Sequence, residues 1–190
     1  MGDGVSIANL YTAWVREPTI ETKIELPSAE VGDWHVLHTK SRQEKVVAAD
    51  LGAMGIAYYL PLVSQVRYYG RRKAKVAMPL FPGYVFLRGS LDQVYEADRT
   101  KRIANIIEVN AQEQLDWELR NLHLALSQEA ALRPFPFLKK GVRVEVRSGP
   151  FRGLQGIIEG RATENRLILQ VDMLGRAVSL EIEGALLDPI

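Results

Sequence analysis

Residues 79–86 read Pro79-Leu80-Phe81-Pro82-Gly83-Tyr84-Val85-Phe86. Pro82-Gly83 turns the chain. Beyond it, the period-two alternation of a strand puts Tyr84 and Phe86 on one face and Val85 on the other. Aromatics at that period are core residues by default. If Val85 and Leu87 face a core, however, Tyr84 and Phe86 need a second apolar surface to cover them. An exposed aromatic pair of that kind marks a protein interface.

Outward from this turn, the pattern is one of strands broken by helices. Trp34-His35-Val36-Leu37-His38-Thr39 is rich in aromatic and β-branched residues and predicts a strand. Ser41 with Glu44 has the spacing of a capping box, Val47, Leu51 and Met54 recur at helical spacing, and Gly55 supplies the stop. Extended segments follow at 57–63, 65–69 and 76–88. A short helix is expected over 92–97, a strand over 103–109 and a long helix over 112–131, where Leu115, Leu119, Leu122 and Leu126 form a stripe. The order β-α-β-β-β-α-β-α predicts an α+β sandwich, with helices on one face of a mainly antiparallel sheet.

The remainder of the chain divides around this unit. Arg133-Pro134-Phe135-Pro136-Phe137 cannot continue a helix and reads as a short, stiff, Pro-rich linker. After it, Val142, Val144 and Val146 alternate with charged residues, as do Val178, Leu180 and Ile182 with polar ones, and Leu167, Leu169 and Val171 make a third set. Residues 138–190 therefore predict a small five-stranded β-barrel, whose closure would remove exposed edges. Residues 1–33 carry six acids against two bases, a net charge of −4, with Pro18 and Pro27. They read as an acidic, flexible or loosely docked leader. Within it, Leu10, Tyr11, Trp14 and Val15 could form a short amphipathic anchor, or a tail ordered only by chance contacts.

Composition removes several classes of chemistry. With no cysteine there can be no disulfide framework, thiolate metal site or cysteine nucleophile. No apolar run approaches the roughly 18–20 residues of a membrane span. His35 and His38 fall on opposite faces of a predicted strand and cannot chelate one ion. Gly149, Gly153 and Gly156 match neither a dinucleotide fingerprint nor a phosphate-binding loop. Nothing converges as an enzyme site, and no cofactor or metal is expected.

Charge is informative in one place. Arg67, Arg71, Arg72, Lys73 and Lys75 put five cations in nine residues, interleaved with Tyr68 and Tyr69. Cations for phosphates beside rings that stack on unpaired bases are the ingredients of a nucleic-acid contact. A solvated hairpin tip would look the same.

Taken together, Trp34-His35-Val36, the segment Pro79 to Phe86, and Gly141-Val142-Arg143-Val144 to Gly156 resemble, in order, the bacterial NusG family of transcription elongation factors. The first two resemble the family's N-terminal (NGN) domain, here 34–132. The third resembles its KOW barrel, here 138–190, with Gly149 in the first turn and Gly156 where a side chain would crowd the backbone. The resemblance implies that Phe81, Tyr84 and Phe86 line an apolar surface for the clamp helices of RNA polymerase. It implies that Arg71, Arg72 and Lys73 lie near upstream or non-template DNA. Met173, Leu174 and Arg176 match the loop that recruits either termination factor Rho or a small-subunit ribosomal protein. A cytoplasmic monomer that modulates pausing and termination is the expected whole.

Two departures point to a specialised, RfaH-like paralogue: the acidic leader, and Thr100-Lys101-Arg102-Ile103-Ala104 where the family commonly has a Pro-Gly turn. Some specialised members fold the KOW segment as helices, whereas the alternating valines here favour strands. The rivals are a ribosome-associated RNA-binding KOW protein, disfavoured by a C-terminal net charge of only +1, and a small-molecule binder with an unrecognised site.

Overall fold

The structure, a computed structural model, describes residues 25–138, 141–158 and 166–190. The anchor expected at residues 7–15 lies outside them. Strand β1 (Asp33–Thr39) is followed by α1 (Glu44–Ala53), β2 (Ala57–Tyr59), β3 (Leu62–Tyr69), β4 (Arg72–Pro79), β5 (Tyr84–Gly89), α2 (Leu91–Asp98), β6 (Ile103–Ile107) and α3 (Gln112–Ser127). Four of these strands pair antiparallel in the order β2-β5-β1-β6. The extended run expected over 76–88 is two strands, because Pro82 cannot donate to a ladder and Gly83 turns with φ +89°.

Alternation along the central strands fills two separate cores. Leu37, Val85 and Leu87 bury against Val47 and Leu51 of α1 and Val94 of α2. Trp34, Val36, Tyr59 and Phe86 bury in a second cluster with Leu115, Leu119 and Leu122 of α3. Helices therefore cover both faces of the sheet, not one as the sequence predicted. The leucine stripe of α3 is the second apolar surface that Phe86 requires. Burying a side chain of that size is worth about 1.5–3 kcal/mol, so a bare aromatic face would be costly beside a helix able to cover it.

Two helix boundaries differ from expectation. Helix α1 starts at Glu44 without a side-chain cap, since Ser41 and Arg42 form a turn in which Arg42 has φ +59°. The capping box is instead at α2, where Ser90 and Gln93 exchange side-chain-to-backbone bonds. Helix α3 ends at Ser127, and Glu129 turns the chain with φ +55°.

The C-terminal sheet is antiparallel, ordered β12-β8-β9-β10-β11-β7. Its strands are β7 (Arg133–Phe135), β8 (Val142–Val146), β9 (Gln155–Ile158), β10 (Arg166–Val171), β11 (Arg176–Glu181) and β12 (Leu187–Pro189). The three alternating sets supply β8, β10 and β11, and β9 and β12 bring the count to five. The sixth is the Pro-rich segment, which is not a free linker: Arg133, Pro134 and Phe135 pair with Ser179, Val178 and Ala177 at the sheet's edge. An edge position tolerates proline because one side of the strand needs no ladder donor.

Candidate protein and nucleic-acid interfaces

The aromatic turn is held from three sides. The Gly83 N–H donates to Glu44 Oε1 (2.7 Å), the Thr39 N–H donates to Gly83 O (2.8 Å), and the Tyr84 N–H closes the turn on Phe81 O (3.2 Å). Glu44, expected as a capping residue, thus ties the start of α1 to this turn. Of the three aromatics assigned to the docking surface, Phe81 and Phe86 are core residues, 4% and 0% exposed. Only Tyr84 reaches the surface: it is half-buried and stacked on the exposed His38 ring across the β1–β5 ladder, with centroids 5.1 Å apart. The ring pair at the surface is Tyr84 with His38, and not Tyr84 with Phe86 as the alternation suggested, because Phe86 is buried in the core.

Strands β3 and β4 form a separate two-stranded hairpin of eight residue pairs, turned at Gly70-Arg71. Residues directly opposed across a ladder share a face. Tyr68 opposes Lys73 and Val66 opposes Lys75, so one face presents two cations with a tyrosine that is 72% exposed. Arg72, one position along from Lys73, falls on the other face, and Arg71 occupies the turn. All three assigned cations, Arg71, Arg72 and Lys73, are exposed, and none joins an ion pair among the described residues.

The third assigned set, Met173, Leu174 and Arg176, lies at a 3-10 turn (Asp172–Leu174) ending in left-handed Gly175. Arg176 is exposed, but Met173 and Leu174 are half-buried against the cluster that contains α3. The loop is clasped to the helix. Gln114 Nε2 donates to Asp172 Oδ2 (2.6 Å) and to Glu118 Oε1 (3.1 Å), and the Asp172 N–H donates to the Glu118 carboxylate (3.2 and 3.3 Å). One turn further, Trp117 Nε1 donates to Gln155 Oε1 (2.9 Å), the Gln155 N–H donates to Asn121 Oδ1 (2.8 Å), and Arg143 lies over the Trp117 ring at 5.2 Å. Burial pushes the Glu118 carboxyl up to about 7, and Asp172 adds to it, against the opposing hydrogen bonds from Gln114 and the Asp172 backbone and the Arg143 charge.

This α3 face was not found in the sequence. Its only signal is polar residues at 114, 118 and 121 running beside the leucine stripe, which reads equally well as a solvated helix face. The turn glycines are accounted for locally. Gly149 turns with φ +84°, and a Cβ on Gly156 would sit 2.6 Å from the Ile168 carbonyl oxygen. The 100–104 segment is stitched to α1 by Arg102, which bonds Asp50 (3.1 Å) and Gln43 (2.9 Å).

With this geometry established, residues 32–120, covering the four-stranded sheet and much of α3, match the family described as transcription termination factor NusG. Over that stretch, a little under half of its length, the chain is similar to NusG. The family is one of transcription factors, not enzymes. Transcription termination/antitermination proteins NusG from two strains of Helicobacter pylori are each 26% identical to this chain over 165 residues, spanning 79% of it and 94% of the relative. A solved structure concerning domain interaction in Thermotoga maritima NusG is 22% identical, covers 83% of this chain and 97% of its own, and superimposes with a TM-score of 0.39. No described helix is long and apolar enough to cross a membrane.

Proposed function

We propose that this chain acts in transcription termination or antitermination by docking on RNA polymerase. The observation that carries the reading is the family match over residues 32–120, within which the Pro82-Gly83 turn presents Tyr84 at the surface. The docking surface is centred on Tyr84 and His38, with Phe81 and Phe86 fixing the strand beneath, and its partner is the polymerase clamp helices. Arg71, Arg72 and Lys73 reach upstream or non-template DNA. A polymerase-binding domain at 34–132 and a KOW domain at 138–190 divide the work, and the KOW sheet closes into a barrel.

The Met173–Arg176 loop recruits Rho or a small-subunit ribosomal protein. Because Met173 and Leu174 pack against the α3 cluster, that recruitment competes with the clasp between Asp172 and Glu118. Mechanistically, a bound factor need favour the elongating over the paused polymerase by only ~1.4 kcal/mol to shift the equilibrium tenfold. The protein works in the cytoplasm as a monomer, and its leader suits a specialised, RfaH-like role.

The test is co-elution with cognate core RNA polymerase on size exclusion, wild type beside Tyr84→Ala/His38→Ala. Phe86 is left intact because its removal would damage the core. Wild-type binding lost in the folded double variant is the expected result. Equal binding by both would move the docking surface elsewhere, and no binding by the wild type or by forms lacking residues 1–33 or residues 138–190 would overturn the reading.

A further inference from the structure

The β3–β4 hairpin carries its positive charge without local opposition. Residues 51–91 contain no Asp or Glu, whereas the hairpin holds Arg67, Arg71, Arg72, Lys73 and Lys75. All of these are exposed, and none joins an ion pair among the described residues. The surrounding chain supplies no counter-charge, so a polyanion is the partner these cations fit.

One face of the hairpin adds a ring to the charge. Tyr68 lies directly opposite Lys73, and Val66 lies opposite Lys75, roughly 7 Å further along the ladder. Tyr68 is the most exposed large apolar side chain among the described residues, at 72%, and Val66 is exposed beside it. No ring or cation stacks on Tyr68 among the described residues. Exposure alone does not make a site. Tyr95 is also exposed, on α2, but Asp92, Glu96 and Asp98 share that helix and would repel phosphate. At Tyr68 the free ring and the unopposed cations coincide. In a duplex both faces of each base are stacked on neighbours, so only the cations would find partners, on the phosphates. A single strand leaves a base face open to the ring and phosphates within reach of the lysines.

We propose that this face binds single-stranded nucleic acid, with Tyr68 stacking on an unpaired base and Lys73 and Lys75 neutralising the phosphates beside it. Such binding rests on the DNA contact proposed above, narrows its ligand to unpaired strands, and adds Tyr68 and Lys75 to the cations at the hairpin tip.

Fluorescence anisotropy of the full chain with oligo-dT, oligo-U and a duplex of the same length, over a series of salt concentrations, tests it. Tyr68 belongs to neither core cluster, so its replacement leaves the fold intact. Tyr68→Ala is expected to weaken single-strand binding roughly tenfold or more and to leave duplex binding within about twofold. Its salt slope should match the wild type's, because a ring releases no counterions. Tyr68→Phe should keep single-strand affinity within about threefold, since stacking needs the ring and not the hydroxyl. Lys73→Gln/Lys75→Gln should flatten the single-strand slope by about 1.4, at about 0.7 per phosphate contact. Tighter wild-type binding to one strand, lost in Tyr68→Ala, supports the proposal and names the source as DNA or RNA. Single-strand affinity unchanged in Tyr68→Ala overturns the stacking site and leaves a charge-only DNA contact standing, as does an equal loss on the duplex. If the wild type binds neither single strand nor duplex, the DNA contact itself falls and the stacking site with it.

Discussion

Glu118→Gln at the α3 clasp should reveal a titration that joins the two sheets. Glu118 is 4% exposed, and its carboxyl is pushed from 4.5 up to about 7, first by burial and further by Asp172, against hydrogen bonds from Gln114 and the Asp172 backbone and the charge of Arg143. A raised carboxyl means the packed structure prefers the neutral acid. Its stabilising contribution is complete below about pH 4.5 and is lost as pH rises through about 7. A carboxyl raised that far, at about 1.4 kcal/mol for each tenfold change in proton affinity, contributes about 3–4 kcal/mol. His123 works in the opposite sense. Burial lowers its pKa, against the pull of Glu25, so its contribution is present above 6.5 and lost as pH falls through the lowered value. The wild-type profile mixes both, and subtracting the Gln variant isolates Glu118. Urea unfolding of both proteins, followed by tryptophan fluorescence, should show the variant gaining about 3–4 kcal/mol on wild type between about pH 5 and about pH 8.5. A difference constant to within about 0.5 kcal/mol across that range would refute the argument.

Two further outcomes follow from the interfaces. Phe86→Ala removes a fully buried ring and should cost about 3–5 kcal/mol of unfolding free energy, while Tyr84→Ala at the surface should cost about 1 kcal/mol or less; comparable losses in denaturant titrations would contradict the division between core and surface. Neutralising Arg71, Arg72 and Lys73 together should flatten the dependence of DNA affinity on salt by about one unit of slope per lost phosphate contact, read by fluorescence anisotropy. An unchanged slope would remove the hairpin tip from the nucleic-acid interface.

Much of the architecture could be read locally. Period-two apolar residues at 142–146 and at 178 and 180 fell in β8 and β11, the leucine stripe became the buried face of α3, and Pro82-Gly83 made its turn. In each case a short-range steric or periodic rule acts within a few residues, and distant parts of the chain do not oppose it. The failures are equally local in form but were decided elsewhere. Ser41 has the spacing of a cap, yet Glu44 gains more from the Gly83 N–H 39 residues away. Arg133-Pro134-Phe135 has the composition of a linker, yet β11 offered an edge that proline could occupy.

The candidate sites divide along the same line. The sequence by itself determined the residue types that could make contacts: the aromatic strand, the basic hairpin and the Met173–Arg176 loop. It also determined the strand and helix periods that carry them, because those depend on steric preferences of neighbouring residues. Tertiary structure alone decided which of these side chains face solvent. Helix α3 took Phe86 into a core and left Tyr84 to the surface. The two-stranded ladder put Arg72 and Lys73 on opposite faces, and the same helix took the Asp172 loop onto Glu118. Exposure depends on what packs against a face, and a residue's neighbours in sequence do not say which distant segment will bury it.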